Sequence, residues 1–79
     1  MSIEGSLVIS KMGHDKGEHY VIVSVTSDKH VFVANGRNRQ LASPKRKNIR
    51  HLYVTGRRVA AKDDLGIVAE IKSFIREKE

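Results

Sequence analysis

The chain has 79 residues, of which 39% are hydrophobic and 30% charged, with a formal net charge of +6 and no cysteine. This length allows one small domain without a large substrate cavity, because such a chain buries only about 60 to 65% of the surface it exposes when unfolded. No apolar run reaches the roughly 18 residues that span a bilayer, and no secretory signal is recognisable. The lack of cysteine excludes zinc fingers, thiol nucleophiles and iron–sulfur sites. It also makes the cytoplasm the expected compartment.

A strand, a tight loop and a second strand are predicted near the amino terminus. Ser6–Ser10 contains an apolar run, residues 13–17 (GHDKG) interrupt it, and residues 20–26 continue with valines spaced by two. A five-residue reversal needs a positive φ, which glycine adopts without steric cost, and Asp15 can bond to nearby amides. Residues 13–17 are therefore predicted to form a glycine-bracketed turn.

Three more strands are predicted downstream. After a turn at residues 27–29, His30–Ala34 forms the third strand, and Asn35-Gly36 predicts a type I′ hairpin with positive φ at both positions. Residues 37–42 are then expected to return as the fourth strand. Pro44 cannot donate to a sheet, so residues 43–50 are expected to form an exposed loop or a single helical turn. Residues 51–55 are the fifth predicted strand.

Five short strands with apolar residues at period two predict a mainly β fold, a small five-stranded SH3-like barrel, because closure removes exposed sheet edges. Ile22 and Phe32 fall on the opposite parity from the main apolar set and need a cover. The residues expected to point inward are Val21, Val23, Val25, Val31 and Val33, with Leu41 and either Leu52 or Tyr53.

A C-terminal α-helix is predicted to supply that cover. Asp63 and Asp64 suit a helix N-terminus, and apolar residues recur at helical spacing at Leu65, Val68, Ile71 and Ile75. So short a helix is marginal alone and is expected to pack on the barrel. The predicted organisation is a barrel over residues 1–56, a linker over 57–62 and a helix over 63–79, in one domain.

The positive charge is concentrated in one segment. Residues 36–58 contain eight cations and no acid, whereas the remaining chain has seven cations and nine acids. Ordinary surfaces mix the two signs, so this segment points to a polyanionic partner approached from one side. The eight cations are Arg37, Arg39, Lys45, Arg46, Lys47, Arg50, Arg57 and Arg58.

The first loop and its strands resemble the KOW motif, in which one glycine is set among alternating apolar and polar residues. The resemblance is carried by Gly5, Val8-Ile9, Gly13, Lys16-Gly17 and the apolar run at residues 21–25, with Gly17 matching the central glycine. After this motif the chain continues in the order VFVANG, RNRQL, PKRKN and HLYV. This order is similar to that in the opening barrel of one group of archaeal and eukaryotic large-subunit ribosomal proteins. The similarity covers roughly residues 3–55.

This resemblance implies an SH3-like barrel that binds RNA, with the loop before the central glycine in contact through His14 and Lys16. Ribosomal RNA is the expected partner, and ribosomal or transcription-machinery proteins are further expected partners. The ribosomal members carry longer extensions past the barrel. Two roles for this protein therefore stay open, that of an integral ribosomal component and that of an associated factor. The predicted RNA-binding residues are Lys16, Arg37, Arg39, Lys45, Arg46, Lys47, Arg50, Arg57 and Arg58, and the predicted motif glycines are Gly5, Gly13 and Gly17.

Other functions have less support from the sequence. The four histidines lack the close spacing of a zinc site, GHDKG is too short for a phosphate-binding P-loop, and no catalytic constellation is evident, so no metal, cofactor or enzymatic activity is expected. Few aromatic residues are available for base stacking, which favours recognition of RNA shape and backbone. A protein-interaction module that uses an apolar edge or the helix is the alternative.

Overall fold

The computed structural model describes residues 3–79, and Met1 and Ser2, the start of the predicted barrel segment, lie outside the described residues. The fold is mainly β, as the sequence predicts. Its elements are β1 (Ser6–Ser10), β2 (His19–Val25), β3 (His30–Ala34), β4 (Lys45–Asn48), a 3-10 turn (Ile49–His51), β5 (Leu52–Arg58) and α1 (Asp64–Lys78). The five strands form one antiparallel sheet in the order β4-β3-β2-β1-β5.

The sheet must curl strongly, because its two edge strands are consecutive in the chain. In a flat five-stranded sheet the edges would lie about 19 Å apart, whereas the four Cα steps from Asn48 to Leu52 span at most about 15 Å. The 3-10 turn is also tied to both sides of the curl. The Ile49 N–H donates to the Lys29 carbonyl at 2.8 Å, and the His51 carbonyl accepts from the Lys11 N–H at 2.7 Å. This geometry is compatible with an SH3-like barrel.

The curled sheet has an apolar core on each face. Cross-strand pairing sets the division, since Leu7 lies opposite Val21 whereas Val8 lies opposite Tyr20. The helix-side core consists of Leu7, Val21, Ala34, Val59, Ile67 and Phe74. The inner core, enclosed by the curl, consists of Val8, Tyr20, Ile22, Val31, Val33 and Leu52. Each fully buried aliphatic side chain contributes about 1.5 to 3 kcal/mol relative to an exposed one.

The predicted assignment of strand faces was wrong for β2. An irregularity between Ile22 and Ser24 shifts the β2–β3 register, so Ile22 lies opposite Val33 and belongs to the inner core. The helix covers the other parity, which includes Val21 and the half-buried Val23. Val25, at the end of β2, is 41% exposed. One extra residue in a strand reverses the face of every residue beyond it, and the alternation in the sequence did not reveal that irregularity.

The predicted fourth strand was also misplaced. Asn35 does not have positive φ, although Gly36 does, so the type I′ hairpin is wrong. Residues 37–42 form turns and bends, and the strand lies at Lys45–Asn48, within the segment predicted to be a loop. Pro44 immediately precedes β4, where its missing N–H costs no sheet hydrogen bond.

The C-terminal helix forms as predicted, and Ile71 of its predicted apolar stripe packs on the core, but Leu65 and Ile75 of that stripe are exposed. The Asp63 side chain accepts from the Gly66 N–H at 2.7 Å and caps α1. Ile67 and Phe74 are buried, whereas Leu65 is 82% exposed. The buried face therefore follows Ile67, Ile71 and Phe74. β5 extends through Arg58, so the first two positions of the predicted 57–62 linker are strand.

Candidate nucleic-acid interface

The glycine-bracketed turn forms between β1 and β2. Gly13 and Gly17 have φ of 92° and 93°, which confirms that this reversal uses the left-handed region. The Gly17 N–H donates to the Ser10 carbonyl at 2.8 Å, closing the loop. Lys16 is exposed at its tip. Gly5, the third motif glycine, joins two other segments by donating to the Ile22 carbonyl at 2.8 Å and accepting from the Val59 N–H at 2.7 Å.

Asp15, in the same loop, directs its carboxylate towards side chains of the curled sheet. Its side chain is only 12% exposed. It accepts hydrogen bonds from the Ser10 hydroxyl at 2.9 Å and the Tyr20 hydroxyl at 2.8 Å. It also pairs with the ammonium groups of Lys45 at 3.1 Å and Lys47 at 3.0 Å. These four partners come from β1, β2 and β4, so one carboxylate joins three strands.

This network changes the ionisation of its acidic members. Desolvation by itself would raise the pKa of Asp15, but hydrogen bonds from Lys47, Tyr20, Lys45 and Ser10 outweigh it and hold that pKa well below its usual value of 3.8. Burial, and then the hydrogen bond to the Asp15 carboxylate, raise the pKa of the Tyr20 phenol above its ordinary range. Asp15 is therefore ionised and Tyr20 neutral at physiological pH.

The two faces of β4 have different surroundings. Lys45 lies opposite Val33 and Lys47 opposite Val31, which places both lysines on the inner-core side. Lys47 is 8% exposed. Arg46 lies opposite the half-buried Phe32 on the other face and is exposed. The alternation of a strand thus separates the cations of KRKN into two inner lysines and one outer arginine.

The loop before β4 presents Arg37 and Arg39, and Asn35 orders it. The Asn35 side-chain oxygen accepts from the N–H groups of Arg37 at 2.9 Å and Arg39 at 3.1 Å. The Leu41 N–H donates to the Asp64 carboxylate of α1 at 2.9 Å. Both arginine side chains are exposed. The loop is therefore held against the helix while its cations face solvent.

A close approach at Gly36 reinforces that docking. A Cβ at this position would collide with the Asp64 carbonyl oxygen and crowd the Val68 side chain, and the φ of 80° disfavours any other residue. Gly36 therefore lets the arginine-bearing loop reach the first turn of the helix.

The remaining predicted contacts lie after β4. Arg50 is exposed on the 3-10 turn, where its N–H donates to the Asn48 side chain at 2.9 Å. Arg58 is exposed and its guanidinium contacts the Ser6 hydroxyl at 3.3 Å. Arg57 instead pairs with Glu77 at 2.8 Å and with Glu70 at 3.8 Å, both on α1. The hydrogen bond with Glu77 raises the pKa of Arg57 and lowers that of Glu77.

The structure thus sorts the nine predicted RNA-binding residues into two groups. The ammonium groups of Lys45 and Lys47 bind Asp15, and the guanidinium of Arg57 binds the helix. Sequence reasoning missed Asp15 as the partner of both lysines, and it missed Ser10 and Tyr20, whose hydroxyl groups also bind Asp15. The alternation within KRKN was a usable signal for the inward direction of the lysines. The exposed group is Lys16, Arg37, Arg39, Arg46, Arg50 and Arg58.

A second surface feature is an open apolar groove of about 350 Å³ between β5 and the end of α1. Ile9, Tyr53, Phe74 and Ile75 line it, with Lys78 at its rim. Within residues 3–79 no group of three or more histidine, aspartate or glutamate side chains is placed to hold a metal ion. No helix of the described chain is long and apolar enough to cross a membrane.

Comparison with protein-family models and with curated proteins gave no match to this sequence. The resemblance to the KOW motif therefore rests on the residues quoted for it.

Proposed function

We propose that this protein is an RNA-binding module that docks on structured RNA in the cytoplasm, with ribosomal RNA as the first candidate. The observation that carries the proposal is a set of exposed arginines along β4 and its flanking loops, in a segment without acids. We call Arg37, Arg39, Arg46 and Arg50 the arginine face.

Binding would depend on phosphate contacts made by a rigid surface. A guanidinium can bind phosphate oxygens through two parallel hydrogen bonds, and each neutralised phosphate releases condensed counterions. The loop of Arg37 and Arg39 is held by Asn35 and Asp64. Arg46 and Arg50 lie on a strand and a 3-10 turn. A surface fixed before binding loses less conformational entropy when the complex forms.

Recognition of structured RNA fits the distribution of aromatic side chains. Tyr20 and Phe74 are buried, and Phe32 is half-buried. Tyr53, 57% exposed, lies on β5 at the apolar groove and not on β4. Single-strand binders stack successive bases on exposed rings, so phosphate and shape recognition suits this surface better.

The test is a titration of purified ribosomal RNA and of duplex DNA at two salt concentrations. The variant Arg37→Ala/Arg39→Ala/Arg46→Ala/Arg50→Ala removes the arginine face. A matched control, Lys62→Ala/Lys72→Ala/Arg76→Ala/Lys78→Ala, removes the same charge from the linker and helix. We expect tight, steeply salt-dependent RNA binding by the wild type and the control, weaker DNA binding, and loss of binding in the arginine variant.

Two results would contradict the proposal. Equal weakening by both variants would mean that net charge alone drives binding. Absence of RNA binding by the wild type would instead favour the protein-interaction alternative, for which the groove beside Tyr53 is the candidate surface. Binding of a protein partner through that groove would depend only weakly on salt.

A further inference from the structure

The loop between β1 and β2 is tied to β4 by side chains across a long stretch of sequence. Asp15 bonds Lys45, 30 residues away, and Lys47, 32 residues away. At the loop tip the backbone bonds are local, such as the Lys16 N–H to the Gly13 carbonyl at 3.2 Å, and the Lys11 N–H at the base of the loop donates to the His51 carbonyl of the 3-10 turn. The Asp15 carboxylate is thus the link between the loop tip and the edge strand.

β4 needs such a link because it is short and supported on one side. It has four residues and, among the strands of residues 3–79, pairs only with β3, at one edge of the sheet. Without Asp15 its two inner lysines would lose the carboxylate that they share, and Lys47 would retain the neutral Ser10 hydroxyl, 3.1 Å from its ammonium. A buried ammonium without a partner is costly.

We infer that Asp15 is a positioning residue of the RNA-binding surface: through Lys45 and Lys47 it fastens the Gly13–Gly17 loop to β4, so that Lys16 at the loop tip and Arg46 on the outer face of β4 keep a fixed spacing when RNA binds. This inference rests on the proposed function. Lys16 is the residue next to Asp15, and Arg46 lies between the two anchored lysines. Loss of the carboxylate frees the loop and the edge strand to move separately, and RNA would then have to order both.

The direction in which RNA affinity changes when Asp15 is neutralised distinguishes a positioning role from a purely electrostatic one. Removing an acid beside a basic surface raises the local positive charge, which strengthens attraction to phosphate. A positioning role predicts the opposite, because contacts are lost although net charge increases. Glu18 supplies a matched control, since it is an exposed acid close enough for its charge to raise the pKa of Tyr20.

The experiment measures binding of purified ribosomal RNA by the full chain as wild type, Asp15→Asn and Glu18→Gln, over a range of salt. Loss of one phosphate contact reduces the magnitude of the slope of log K against log salt by about 0.7 to 0.9 and weakens binding about five- to eightfold near 0.1 M salt. We expect at least that loss for Asp15→Asn. Glu18→Gln is expected to bind as tightly as the wild type or more tightly, with an unchanged slope.

A further variant separates positioning from loss of folding. Asp15→Asn leaves Lys47 buried without its anion, so the double variant Asp15→Asn/Lys47→Met removes that ammonium as well and is expected to regain stability. Its RNA binding should stay weak with the reduced slope, because the loop is still not joined to β4. Circular dichroism confirms that each variant is folded at the temperature of the titration.

The outcomes distinguish this inference from the proposed function. If the wild type binds and both the folded Asp15→Asn chain and the double variant bind as tightly as Glu18→Gln, the positioning role is wrong while the RNA-binding function stands. If affinity recovers together with stability in the double variant, Asp15 contributes only to folding. If the wild type does not bind RNA, both the function and the inference fail.

Discussion

The two faces of β4 place residues of the same charge in opposite environments. On the inner face the ammonium groups of Lys45 and Lys47 are held by Asp15 beside an apolar core. On the outer face Arg46 is exposed. The difference shows that a run of cations is not by itself a binding surface, since strand alternation places neighbouring cations on opposite faces, one buried and one exposed.

The same distinction applies across the basic segment. Arg57 neutralises acids of α1, whereas Arg37, Arg39 and Arg50 are exposed on loops and turns. The charge available to a polyanion is therefore smaller than the sequence count of eight. Variants of the two lysines that bind Asp15 should change stability, and variants of the arginine face should change affinity.

The largest effect is expected from the inner anion. Asp15→Asn leaves Lys45 and Lys47 without a counter-ion and should lower the free energy of unfolding by about 3 kcal/mol. A domain of this size is stable by about 5 to 10 kcal/mol, so the variant should remain folded. Urea denaturation followed by circular dichroism measures the change, and an unchanged midpoint would contradict the anchoring role.

Acid should reproduce this loss in the wild type. The pKa of Asp15 is below its usual value of 3.8 in the folded chain, so between the two pKa values the unfolded chain binds more protons and stability falls as the pH falls. The contribution is complete above the unfolded pKa and is lost towards the folded one. Urea midpoints measured from neutral pH to pH 2 should therefore fall less steeply in Asp15→Asn, and parallel curves would refute the assignment.

The arginine face should show the reverse pattern, a loss of affinity without a loss of stability. Arg46→Gln/Arg50→Gln removes two exposed guanidinium groups and should weaken RNA binding about 25- to 60-fold near 0.1 M salt, the product of two lost phosphate contacts. Stability should change by no more than about 0.5 kcal/mol, as for most surface substitutions. Unchanged affinity in RNA titrations, or a large loss of stability in urea, would place these arginines in the wrong group.

The smallest effect is expected at Arg57. Its pairs with Glu77 and Glu70 lie at the surface, where ion pairs contribute little. Arg57→Gln should therefore leave both the unfolding midpoint and the RNA affinity within experimental error. A clear loss of affinity would mean that Arg57 leaves α1 to contact RNA.

Local chemistry allowed much of the fold to be predicted from the sequence. The strand at Ser6–Ser10, the glycine-bracketed loop and the aspartate-capped helix follow from short-range patterns, and all three are present. The position of β4 did not follow, because Asn35-Gly36 is used in a wide loop closed by the Asn35 side chain and by α1. That choice depends on a helix almost 30 residues further along the chain.

The composition of the sequence located the candidate site, but only part of the site's geometry could be predicted from the sequence. A count of cations located the segment but could not show that Lys47 is buried, because its partner Asp15 lies 32 residues earlier in the chain. Asp15 was expected to bond backbone amides of its own turn, and its carboxylate instead binds side chains of three strands. Long-range pairing of this kind depends on strand register, which the irregularity in β2 also obscured.

The most direct test compares neighbouring residues on the two faces of β4. The slope of log K against log salt for ribosomal RNA would be measured for wild type, Arg46→Gln and Lys47→Met. The magnitude of the slope should fall by about 0.7 to 0.9 for Arg46→Gln and stay unchanged for Lys47→Met, since Lys45 still binds Asp15 in that variant. An equal reduction in both variants, or a reduction for Lys47→Met alone, would contradict the division between inner anchors and outer contacts.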